Sequence, residues 1–94
     1  MNDYKEFLDN GIYDIQAGKF EDAIEKINKS LELKKDWEIP YFYRAVAYQA
    51  LENFDEAILD YTKALEYLDR AIELEPDFIH AKALKKLILS KYIK

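Results

Sequence analysis

The stretch Gly18-Lys19-Phe20-Glu21-Asp22-Ala23-Ile24 returns further along the chain as Glu52-Asn53-Phe54-Asp55-Glu56-Ala57-Ile58, so that Ala23 and Ala57 stand 34 residues apart. Recurrence at a fixed period of roughly 20 to 50 residues marks an array of stacked units, each too small to bury its apolar face alone. The flanking composition says what a unit is made of. Only 2 Gly and 2 Pro interrupt 94 residues, and the β-branched residues are mostly isolated isoleucines, so helix formers dominate and strands find little support. The fold expected is all-α.

Outward from the first copy, Phe7, Leu8, Gly11, Ile12 and Ile15 recur at the spacing of one apolar stripe and predict a helix over about 4–17, closed by Gly18 in the left-handed conformation. Ala23, Ile24, Ile27 and Leu31 share one face of a second helix over about 20–33. A polar turn over 34–38 follows, with Asp36 as its expected N-cap. Pro40 suits the first turn of a third helix, where its missing N–H costs nothing, and that helix carries Tyr41, Tyr48 and Leu51. Glu52 and Asn53 supply the next turn.

Period and residues together resemble the tetratricopeptide-repeat family, whose unit is an antiparallel pair of helices, A then B, of about 34 residues. The resemblance treats 1–94 as a single domain, with unit one at 4–37 and unit two beginning at Glu38. It implies that Gly11 and Ala45 are the small residues where helix A meets helix B, and that Tyr48 holds the aromatic position of helix A. Phe20 and Phe54 would hold the aromatic at the turn, and Ala23 and Ala57 the small residue opening helix B. A small residue at a helix crossing permits an interaxial distance near the low end of about 8 to 10 Å, while the aromatic fills the adjoining gap. Asn10 and Asp14 depart from the family's large apolar residues, and Lys35 from its terminal proline. The two polar residues are expected on the solvated outer side of an N-terminal unit.

Unit two runs on where the family would stop. The closing string of helix B appears as Lys63-Ala64-Leu65-Glu66-Tyr67 and again, seven residues later, as Arg70-Ala71-Ile72-Glu73-Leu74 before Pro76. Seven residues are nearly two helical turns, so the stripe Ile58, Tyr61, Leu65, Leu68, Ile72 stays in phase, and no breaker lies between Asp55 and Glu75. One long helix of roughly 20 residues, about 30 Å, is predicted there. Unit two then spans 38–78 and a final capping helix 77–92, giving five helices with a long fourth. The insertion displaces the start of the last helix by about 10 Å. That helix carries Leu84, Leu87 and Ile88 on one side, with Leu89 and Ile93 on the opposite, lysine-bearing side. Two arrangements satisfy this pattern: a fold-back onto the chain's own long helix, or docking on a second copy to make a homodimer. Leu68, Ile72, Leu89 and Ile93 are the residues expected to serve self-association.

Charge and chemistry narrow the function. The net charge is −5, and the five lysines of 79–94, with no acid among them, leave −10 on residues 1–78, which disfavours nucleic acid as a partner. No uncharged run approaches the roughly 18 residues of a membrane span, the first ten residues lack the apolar stretch of a signal peptide, and cysteine is absent. A cytoplasmic protein without membrane attachment is expected. One histidine, His80, and three Ser/Thr hydroxyls, Ser30, Thr62 and Ser90, cannot build a triad or a histidine-rich metal site. Acid pairs such as Glu21 with Glu25, or Asp55 with Glu56, read as solvated helix faces. No catalytic residue, no metal ligand and no cofactor is expected.

The family resemblance implies instead a concavity lined by the A helices, at Leu8, Ile12, Ile15 and Gln16 in unit one and Ile39, Phe42, Val46 and Gln49 in unit two, with Phe42 as aromatic anchor. In a subgroup of the family, lysine and asparagine grip a C-terminal carboxylate at positions that correspond here to Leu8, Ile12, Phe42 and Val46, so that clamp is not implied. A peptide or an amphipathic helix of a protein partner suits an apolar groove better. Two readings compete with this scaffold: the same stripe as core between helices, and a self-association module built on the long helix and the last one.

Overall fold

Helical periodicity becomes two antiparallel hairpins followed by a shorter last helix. The structure is a computed structural model that describes residues 3–92, with side chains described for residues 3–90. α1 is Tyr4–Gln16, α2 Phe20–Leu33, α3 Glu38–Ala50, α4 Phe54–Leu74 and α5 Ile79–Leu87, which continues into a π-helical turn, Ile88–Tyr92. Each helix packs on its predecessor and α1 also touches α3, in a slab of 35 × 34 × 18 Å. Asp3 starts α1 as an N-cap whose Oδ1 accepts a hydrogen bond from the Glu6 N–H at 2.9 Å.

The hairpin turns repeat with the sequence. At the end of α1, Gly18 sits at φ 79° and its N–H donates to the Ile15 carbonyl at 3.0 Å, while the Lys19 N–H donates to the Asp14 carbonyl at 2.8 Å. At the end of α3, Glu52 sits at φ 63°, its N–H donates to the Gln49 carbonyl at 3.0 Å, and the Asn53 N–H donates to the Tyr48 carbonyl at 2.9 Å. Both are Schellman closures, which satisfy carbonyls that the helix end would otherwise leave without donors.

In the first hairpin the helices come close at a residue without a side chain. A Cβ added to Gly11 would stand 2.8 Å from Ile27 Cγ1 and 3.3 Å from the Ala23 carbonyl oxygen. Ala23, Ala45 and Ala57 are buried. Leu8, Ile27 and Leu31 form one core cluster, and Phe42, Tyr61, Ala64, Leu68, Ala81 and Ile88 belong to the other. Ser30, fully buried, donates from Oγ to the Tyr4 carbonyl at 2.7 Å and ties the end of α2 to the start of α1.

α4 is one unbroken helix of 21 residues, against 14 for α2. It therefore overruns the start of α3, where Tyr67 stacks on Tyr41 with centroids 5.6 Å apart and donates its hydroxyl to Asp36 Oδ1 at 3.4 Å. Asp36 is thus not the N-cap of α3; Trp37 takes that place and makes no side-chain cap bond. The last helix starts at Ile79, two residues later than expected, and folds back onto α4 of its own chain, with Lys85 Nζ 2.6 Å from Asp69 Oδ1. It is shorter than α4 and leaves the first turns of α4 uncovered. At 100° per residue Phe54, Ile58, Leu65 and Ile72 fall within about 40° of one another. Leu65 and Ile72 are half-buried, whereas Phe54 and Ile58 are 55% and 50% exposed.

Glu52 offers a direct test of the turn. A non-glycine residue in the left-handed region costs about 1 to 2 kcal/mol, and glycine returns roughly 0.4 to 1 kcal/mol of that as greater freedom of the unfolded chain. Glu52→Gly is expected to raise stability by about 0.5 to 1 kcal/mol in urea unfolding, and a loss would contradict the left-handed turn.

Candidate interaction surfaces

The eight residues predicted for an A-helix concavity do not form one open surface. Leu8 is 4% and Phe42 9% exposed; both lie within the core clusters, so Phe42 is no free anchor but packs edge-on against Tyr43 and beside Tyr61. Ile12, Ile15, Ile39 and Val46 are half-buried, with their inner sides against those clusters. Gln16 is exposed. Gln49 is engaged within the fold, its Oε1 accepting from the Tyr61 hydroxyl at 2.8 Å. What remains accessible on α1 and α3 is a narrow strip of half-covered aliphatic side chains, so the core reading of this stripe holds for Leu8 and Phe42.

Two polar pairs that were not predicted hold the hairpins. Arg44 on α3 donates from Nε to Asp60 Oδ2 and from Nη2 to Asp60 Oδ1, both at 2.7 Å, and from Nη1 to Asn28 Oδ1 at 2.8 Å, linking α2, α3 and α4. The hydrogen bond to Asp60 holds the Arg44 guanidinium above its ordinary range. One period earlier, Lys26 stands at the position of Asp60 and donates to Asp14. That bond likewise raises the Lys26 ammonium. Asp14 is therefore buried between α1 and α2, not on a solvated outer side. The sequence signal for these pairs was a charge reversal at a 34-residue interval, Lys26 against Asp60.

The residues predicted for self-association divide. Leu68 is 1% exposed and belongs to the chain's own core, so it presents no surface to another molecule. Ile93 lies outside the described residues. Ile72 and Leu89 come together, with Lys82, Lys85, Lys86 and Ser90, around an open groove of about 530 Å³ between α4 and the last helix. Lys85 is paired with Asp69, whereas Lys82 and Lys86 have no ion-pair partner among the described residues. Among the described residues no group of three or more His, Cys, Asp or Glu could hold a metal ion, and no helix is long and apolar enough to cross a membrane. His80 is exposed, its ring stacked near Phe78 with centroids 6.4 Å apart.

Known proteins agree with this architecture. The family model for the tetratricopeptide repeat matches residues 39–67, from the start of α3 to a point seven residues short of the end of α4. Over 74 residues the chain is 31% identical to a TPR repeat-containing protein of Methanocaldococcus jannaschii, an alignment covering 79% of this chain and 12% of that protein. No solved structure matches. The family-model and sequence matches, with the antiparallel helix hairpins, support a tetratricopeptide-repeat protein; repeats of this family generally mediate protein–protein interaction. The chain spans only a small part, 12%, of the curated relative that it matches.

Removing Arg44 strands the Asp60 carboxylate, whose side chain is 8% exposed. Breaking a buried pair from one side typically costs about 3 kcal/mol or more. Arg44→Ala is expected to lower urea-unfolding stability by about 3 kcal/mol, with Arg44→Lys recovering less than half because an ammonium cannot reproduce the paired bonds. A loss under about 1 kcal/mol would show that the clamp does not hold the hairpins together.

Proposed function

We propose that this chain is a non-catalytic interaction module that receives a short apolar segment of a protein partner along the inner strip of α1 and α3. The observation that supports it is the strip itself: Ile12, Ile15, Ile39 and Val46 are half-covered on neighbouring helices, with buried Leu8 and Phe42 beneath them as a packed floor. A preformed apolar strip on rigid helices binds without a large ordering cost, and main-chain groups of an extended ligand remain free to meet Gln16 at its edge. The module consists of two repeat units, 4–37 and 38–78, the second lengthened by one heptad, and a capping helix. Its selectivity comes from the acidic residues that give this part of the chain its net negative charge, which favours apolar segments flanked by Lys or Arg.

A display library of random decapeptides panned against the immobilised protein supplies a probe. Selected peptides are expected to shift the amide resonances of Ile12, Ile15, Ile39 and Val46. The paired substitution Ile15→Glu with Val46→Glu is expected to weaken them at least tenfold, about 1.4 kcal/mol, while helicity by circular dichroism is retained. Peptides that shift only resonances elsewhere, or that bind the substituted protein unchanged, would refute the strip as the site.

A further inference from the structure

The bare end of α4 and the groove beside its other end belong to one continuous face. Phe54 and Ile58 lie on the stripe of α4 that leads to Leu65 and Ile72, and Ile72 is the α4 residue in the groove. Charge along this face is split. Beside Phe54 and Ile58 stand Asp55 and, in the turn that precedes α4, Glu52, both exposed. Around Ile72 and Leu89 stand Lys82 and Lys86, unpaired among the described residues, with Leu89 itself 46% exposed. One molecule thus carries an acidic apolar knob at one end of the face and a basic apolar groove at the other.

We propose that the occupant of this face is a second copy of the chain, laid antiparallel across α4 and the last helix. A two-fold axis near the middle of α4 places each copy's Phe54 and Ile58 in the partner's groove. It also brings Glu52 and Asp55 over the partner's Lys82 and Lys86, so both contacts form at once and the assembly closes as a dimer. An antiparallel pairing is selected because a parallel one would stack acid on acid and lysine on lysine. Size permits it. A 21-residue helix is about 31 Å long, and a two-helix face about 20 Å wide offers roughly 600 Å² in projection, near the ~800 Å² of accessible surface per partner found in standard interfaces. No exchange of the last helix is needed, since it already covers α4 of its own chain. The α1 and α3 strip takes no part, so this dimer and the proposed peptide site stand or fall separately.

Sedimentation equilibrium from about 1 µM to about 1 mM tests this directly. The mass is expected to rise from the monomer's 11.2 kDa toward twice that value. Lys82→Glu with Lys86→Glu, and separately Glu52→Lys with Asp55→Lys, are each expected to weaken association at least tenfold. An equimolar mixture of the two variants restores it, because both contacts of the mixed dimer regain opposite charges. Leu89→Glu, at an exposed position, is expected to abolish the dimer with helicity unchanged and so guards against misfolding of the charge variants. A wild-type chain that stays monomeric to about 1 mM would overturn the proposal. So would variants that dimerise unimpaired, a mixture that remains monomeric, or an acidic amphipathic peptide filling the groove of a protein that does not self-associate.

Discussion

Close approach of the two helices in each hairpin is the constraint on which the other features depend. At Gly11 there is no space for a Cβ, since Ile27 Cγ1 would lie 2.8 Å away. In the second hairpin the small residues Ala45 and Ala57 are buried in one core cluster. Two helices drawn this near need their ends joined by a tight turn, which the left-handed residues Gly18 and Glu52 provide. They also expel water from whatever lies beside the crossing. Asp14 and Asp60 are caught there, each 6% exposed, and each is matched by a cation from the facing helix. Turn geometry and buried ion pairs are thus consequences of one packing distance.

The 21-residue length of α4 decides what lies beyond this crossing. The extra turns project past the start of α3, where Tyr67 finds Tyr41 and Asp36. Burial, followed by the neighbouring Tyr67, raises the Tyr41 phenol above its ordinary range. At the opposite end the last helix leaves Phe54 and Ile58 in the first turns exposed. Hence one end of α4 is held by Tyr41 and Asp36 while the other keeps its apolar side chains exposed. Exposed apolar side chains thus lie where helices fail to overlap, at Phe54 and Ile58, as well as along the half-covered strip of α1 and α3.

Much of this was legible in the residues. The 34-residue recurrence, the helix boundaries to within two or three residues, and the continuity of α4 all follow from periodicity and from the positions of Gly and Pro. Period reports which side of a helix is apolar, but not what covers it. That is why Leu68, placed on an interaction surface by its register, and Leu8 and Phe42, placed on one by the family resemblance, turn out to be core. Asp36 looked like an N-cap by type and position, yet a phenol brought in from 31 residues away occupies it. The Arg44–Asp60–Asn28 link is likewise nonlocal; only the alternation of Lys26 and Asp60 at equivalent positions hinted at it. Glu52 aligned with Gly18, but nothing in a glutamate announces a left-handed backbone.

Because the overhang, the bare end and the groove all require α4 to be a single rod, its length is the quantity to measure. Spin labels on cysteines introduced at the exposed positions Asp55 and Glu73 would be separated by about 27 Å along a continuous helix, before allowance for the label arms. A single narrow distance distribution near that value is predicted. A broad distribution, or one centred below about 20 Å as a break or turn between Thr62 and Arg70 would give, would contradict the rod and with it the position of the last helix.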